Sequence, residues 1–130
     1  MEVTITCKDY SNSRVRFFDC VYEEDLSSVA ATIELRSSRV VVLIECTDVQ
    51  PELPDFLESL TAAGGSHSVS ALPELVVSAE VSDDGAIRLE WVFRETDGHC
   101  GPSSASVDIW LDSLDDVRIA AAQIRALLPA

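Results

Sequence analysis

The chain has 130 residues, 47% of them hydrophobic, and a formal net charge of −14. That length suits one domain, and so large an apolar fraction supports a core, which argues against a globally disordered chain. The charge argues against nucleic acid and anionic membrane as partners, because a field of one sign repels both.

Hydrophobic periodicity gives the order of elements. Val3 to Cys7 alternates and predicts a short strand, and Arg14 to Cys20 a second one. An acidic turn, Glu23-Glu24-Asp25, follows. Ser28 to Arg36 places Val29, Ala31, Ile33 and Leu35 on one face of a third strand. After Ser37-Ser38, the run Val40 to Cys46 is apolar on both faces, which predicts a central strand covered on both sides.

Pro51 and Pro54 fit the first turns of a helix, where an N–H is not needed. Leu53, Phe56, Leu57 and Leu60 recur at helical spacing, and Gly64-Gly65 is a stop. Ser66 to Ala71 reads as a loop. Leu75 to Val81 and Ala86 to Arg94 read as strands of a hairpin around Asp83-Asp84-Gly85. Trp91 shares the apolar face of its strand with Ile87, Leu89 and Phe93, so it belongs in the core. Thr96 to Ser104 reads as a polar loop.

Ala105 to Leu111 alternates again, with Trp110 opposite the apolar face. Ser113-x-x-Asp116 resembles a capping box. Leu114, Val117, Ala121, Ile124 and Leu128 then form one helical stripe. The expected order is β-β-β-β-α-β-β-β-α: an α+β domain, residues 1–130, with a mainly antiparallel sheet of about six to seven strands. Two amphipathic helices would cover one face of that sheet.

No run approaches the roughly 20 apolar residues of a membrane helix. The N-terminus also lacks the basic and apolar regions of a signal peptide, so a cytoplasmic protein is expected. One Lys stands against eight Arg, which reads as the codon bias of a GC-rich genome. The four cysteines, Cys7, Cys20, Cys46 and Cys100, match no zinc spacing. The first three end apolar runs, where a thiol behaves as a small hydrophobe.

Catalytic patterns are weak. His99 and Cys100 are adjacent, and neighbours in extended backbone point apart. His67 and Cys100 are the alternative pair, with nothing in the sequence to join them. There is no P-loop, G-x-G-x-x-G or G-x-S-x-G. No metal-ligand set appears either, so no cofactor, no metal and no enzyme activity are expected.

Charge is the most informative pattern. From residue 40 to 87 there is no Lys or Arg, yet nine acids: Glu45, Asp48, Glu52, Asp55, Glu58, Glu74, Glu80, Asp83 and Asp84. Arg14, Arg16, Arg36 and Arg39 lie on neighbouring strands and read as solvent-facing residues that balance nearby acids.

Three segments carry a family resemblance. They are Pro54-Asp55-Phe56-Leu57-Glu58-Ser59-Leu60, then Leu75 to Val81 with Asp84-Gly85, then Val107 to Leu128. Over roughly residues 28–128 this pattern is similar to small bacterial immunity proteins of the WapI type and to a related group of small uncharacterised bacterial proteins. The resemblance implies an antitoxin that binds a toxin domain, often a nuclease, and it transfers no catalytic residue.

The functional expectation is a non-enzymatic module that binds a basic protein toxin. Its acidic surface comprises Glu45, Asp48, Glu52, Asp55, Glu58, Asp83 and Asp84, joined by Trp110. The other class is a self-associating domain, in which an exposed sheet face or edge pairs in a homodimer.

Overall fold

The computed structural model describes residues 2–8, 12–24, 28–69, 74–97 and 101–128. Within them the chain runs through β1 (Val3–Thr6), β2 (Arg14–Glu23), β3 (Ser28–Arg36), β4 (Val41–Val49) and α1 (Glu52–Glu58). It continues through β5 (Gly65–Val69), β6 (Glu74–Val81), β7 (Ile87–Asp97), β8 (Gly101–Leu111) and α2 (Leu114–Arg125). The α+β class, the antiparallel pairing and the two helices agree with the sequence pattern. The strands divide between two antiparallel sheets, ordered β1-β2-β3-β4 and β5-β6-β7-β8.

Alternation along the strands explains the division. Each sheet has one apolar face, and the two faces cover each other. Val15, Phe17, Ile33, Leu35 and Ile44 come from the first sheet; Leu75, Val77, Leu89, Trp91 and Ile109 come from the second. All join one buried cluster. Phe17 meets Trp91 edge to face, with ring centroids 6.2 Å apart at 74°. Such a pair is worth about 0.5–1.5 kcal/mol beyond its burial.

The helices therefore do not lie across one sheet face, because the opposing sheet already covers it. They pack on each other and touch β1, β5 and β8. This places them at the end of the sandwich where β5 and β7 begin and β6 and β8 finish. α2 buries Val117, Ala120, Ala121 and Ile124, and α1 buries Leu53, Pro54 and Leu57. The side chain of Ser113 does not cap α2; the carboxylate of Asp116 instead accepts the N–H of Asp112 at 3.2 Å.

Three local expectations change. The stretch from Ser66 is not a loop: β5 pairs with β6 from Gly65↔Ala79 to Val69↔Leu75. Its Gly-Ser-His-Ser sequence has no apolar alternation, and only backbone pairing makes it a strand. The polar loop expected at 96–104 is mostly strand as well, since Thr96 pairs with Pro102 and Asp97 with Gly101. β2 runs on to Glu23 through a bulge between Phe18 and Val21, with Asp19 at φ 51°. An acid with a short side chain tolerates that left-handed conformation.

The fourth change concerns β4, which is an edge strand and not a central one. Ile44 and Cys46 point into the core, while Val41 is 49% and Leu43 60% exposed. An apolar run records what side chains a strand carries, not whether a second layer covers them.

Gly64 ends the α1 connection at φ +72°, and a Cβ there would collide with the carbonyl oxygen of Ala79. Both the backbone conformation and the space require glycine. Gly64→Ala should destabilise the fold by about 2 kcal/mol or more, measured as a lowered urea midpoint. Gly85, also at positive φ but in open space, should cost less when replaced by Ala. Equal effects at the two glycines would refute the role of the Ala79 contact.

Candidate functional site

The helical end gathers acid. α1 contributes Glu52, Asp55 and Glu58, the β6–β7 turn Asp83 and Asp84, and the start of α2 Asp112, Asp115 and Asp116. The cations on α2 are Arg118 and Arg125, and both are engaged. Arg125 bridges the helices, with NH2 2.6 Å from Asp55 and Nε 3.0 Å from Glu58. These two carboxylates raise its pKa. Arg118 pairs with Asp115 at 3.1 Å. An exposed pair of this kind adds little stability, so its main effect is on the local field.

The turn is held by its own hydrogen bonds. Ser82 and Ala86 N–H donate to the Asp84 carboxylate, Ser82 first in effect, and together they lower its pKa. Asp84 therefore stays ionised to lower pH than an ordinary aspartate. Beside the turn is an open groove floored by Ala62, Val81 and Leu114 and rimmed by Asp83 and Asp115. An apolar floor with a carboxylate rim matches the two parts of a Lys or Arg side chain, its methylene stem and its charged head.

Of the expected acidic surface, Asp55 and Glu58 meet on Arg125, Asp83 and Asp84 share the β6–β7 turn, and Glu52 is exposed at the start of α1. Asp48 lies just before α1 and accepts a hydrogen bond from Gln50 Nε2. Glu45 is not part of this group: it is exposed on the outer face of the first sheet, paired in register with Thr32. Trp110 is half-buried on β8. Its backbone is tied to the β1 side, its carbonyl accepting from Lys8 N–H at 2.7 Å and its N–H donating to Cys7 Sγ at 3.1 Å. Asp115 is an addition that lies outside the arginine-free segment and meets Asp83 at the groove only through the fold, whereas Asp116 lines a separate hollow beside Lys8.

The catalytic alternatives gain no support from geometry. His67 stacks on Phe56 at 5.5 Å and packs β5 onto α1. Burial pushes the Cys46 and Cys20 thiols up, away from a reactive thiolate. His99 and Cys100 lie outside the described residues. Among the described residues no group of His, Cys, Asp and Glu could hold a metal ion. Among the described residues no helix is long and apolar enough to cross a membrane.

A second charged feature lies on the outer face of the first sheet. Glu34 is 4% exposed, yet it points away from the core into a ring of arginines. Arg14 Nε is 3.0 Å from its carboxylate, Arg36 Nε 3.4 Å and Arg16 NH2 3.9 Å. Arg16 also lies over the Phe18 ring at 4.0 Å. Burial alone would raise the Glu34 pKa, but hydrogen bonds from Arg36 and Arg14, and their charges, outweigh it and lower it. Three arginines thus converge on Glu34, and Arg16 also reaches Glu2 at 3.7 Å, where the sequence suggests several separate balances. The visible signal was period two: Arg14-x-Arg16 on one strand and Glu34-x-Arg36 on its neighbour.

The fold is thus a two-sheet α+β sandwich with a carboxylate-rich helical end. Residues 6–130 match a family of unknown function, DUF6228, and the chain belongs to that family. No curated protein and no solved structure matches it.

The Glu34 ring sets a pH dependence. Its folded pKa lies below the ordinary value near 4.3, so its stabilisation is complete above that value and fades as pH falls through the lowered one. Glu34→Gln should lower stability by roughly 1–2 kcal/mol at neutral pH, after allowing for the exposure of the arginines. The gap to the parent protein should narrow in acid. Urea midpoints across the acid range would check this, and a gap independent of pH would rule out the carboxylate as its source.

Proposed function

We propose that this protein is a non-enzymatic binding module whose helical end docks a basic protein, and that it acts in the cytoplasm as an immunity protein against a basic toxin or nuclease domain. The observation that carries the reading is the groove between the β6–β7 turn and α2, with its floor of Ala62, Val81 and Leu114 and its rim of Asp83 and Asp115. Asp83 and Asp115 stand at this groove, Asp115 already binds Arg118, and at the other end of α2 Arg125 is held by Asp55 and Glu58. A basic partner would find a field of one sign that speeds encounter, and an apolar seat that slows release. The WapI-type resemblance supports the same class of partner. Nuclease toxins carry basic surfaces because their substrate is anionic, and a carboxylate-rich end can occupy such a surface.

Asp55 and Glu58 are poor positions for a test, because reversing them also breaks the Arg125 bridge between the helices. Glu52, Asp83 and Asp115 are exposed and make better ones. A tagged pull-down from the native cell at low salt, eluted with a salt gradient, should release a basic protein at high salt. Glu52→Lys, Asp83→Lys and Asp115→Lys together should slow its association by about tenfold or more in a protein that stays folded by circular dichroism, although Asp115→Lys also removes the pair with Arg118. Unchanged association kinetics, or recovery of the bait alone from cells that express the surrounding genes, would reject this surface.

A further inference from the structure

β4 is an edge strand that lacks the usual protection of an edge. Free edges are normally blunted by Lys, Pro, bulges, short length or covering elements. The edge strand β5 is short and polar, β1 is four residues long with α2 against it, and β8 holds Pro102, exposes the polar Ser104, Ser106 and Asp108, and is tied at Trp110 to Lys8 and Cys7. β4 is nine residues long and holds neither Lys nor Pro. Its register with β3 is regular from Val41↔Arg36 to Cys46↔Ala31, and the bulge lies beyond that, toward Val49. Along this regular half the outward side chains are Val41, 49% exposed, Leu43, 60% exposed, and Glu45, with Val42 half-buried and Val40, just before the strand, 39% exposed.

We infer that the occupant of this edge is a second copy of the same chain, whose β4 pairs antiparallel about a two-fold axis at Val42. The edge is complementary to itself in that register. Val42 faces the partner's Val42, Val41 faces the partner's Leu43, and Val40 faces the partner's Ile44. All exposed apolar side chains of the edge then gain apolar neighbours. One step further along, Glu45 faces the partner's Arg39, which is exposed in the β3–β4 turn. Shifting the axis by one residue to Leu43 would set Val41 against Glu45, an apolar group against a charge. The cross-strand side-chain pairs thus favour one register.

Overall charge opposes self-association, but it is not spread evenly. The sheet beside β4 carries Arg14, Arg16 and Arg36 around Glu34, with Glu2 as a second acid on Arg16. Antiparallel pairing brings the acidic C-terminal half of β4, with Glu45 and Asp48, alongside this basic end of the partner. The contact is isologous, as a closed dimer requires, and joins two four-stranded sheets into one of eight strands. It leaves the helical end free, so the inference does not rest on the function proposed for that end.

Sedimentation of the full chain across the micromolar range should show a monomer–dimer equilibrium. Leu43→Lys should abolish the dimer. Glu45→Arg should weaken it by about tenfold, and Glu45→Arg with Arg39→Glu should restore it. All three positions are exposed in the monomer, and an unchanged circular dichroism melt will establish that the variants fold. If Leu43→Lys does not fold, the charge swap alone decides. A monomer at every concentration would overturn the inference. So would a dimer indifferent to these residues, or a double variant no tighter than Glu45→Arg.

Discussion

Trp91 and Phe17 meet near the middle of the molecule, each fully buried on the inner face of its own sheet. Their contact follows from a wider constraint: each sheet has one apolar face, and the two faces can leave water together only by stacking. Once they stack, the helices cannot lie across either face and are left to close one end. Arg125 then bridges α1 and α2, and the turn between β6 and β7 comes to rest beside the start of α2. The site, the edges and the distribution of charge all follow from that arrangement. The indole N–H of Trp91 has no hydrogen-bond partner among the described residues, a cost borne by the burial of so large a ring.

Charge is divided between two places with different physics. At the helical end the acids are exposed and their arginines lie on the same surface, so the end acts through its field more than through stability. On the outer face of the first sheet one buried acid organises several cations. There Glu34 has lost most of its water and depends on the arginines, so the contact is structural and sensitive to acid. A net charge of −14 therefore describes neither surface well.

The edges show a similar contrast. β5 is polar, and His67 on it packs against Phe56 of α1. β1 is short and lies against α2. β4 alone combines length, regular register and exposed apolar side chains. The run Val40 to Ile44 resembles a buried central strand in sequence because its outer positions carry the same residue types that a covering layer would select.

Much of the fold was legible in the sequence where the signal is local. Ser28 to Arg36, Ala86 to Arg94 and the stripe from Leu114 to Leu128 each place apolar residues at the period of their own element, and each is buried as that period requires. Asp83-Asp84-Gly85 marks a turn because only Gly85 must adopt positive φ. Glycine at 64 is equally local in sequence, but its reason, the carbonyl of Ala79, is not. β5 escaped notice because backbone pairing with β6 leaves no trace in Gly-Ser-His-Ser. Asp115 of α2 joined the acids of the β6–β7 turn, and Glu45 left the group, for the same reason. Sequence by itself determined which residues were apolar, which were charged and where the chain could turn, since these are properties of single residues and their near neighbours. Only the tertiary structure decided which sheet met which, which strand stood at an edge and which charges shared a surface, because those depend on faces that meet through space and not along the chain.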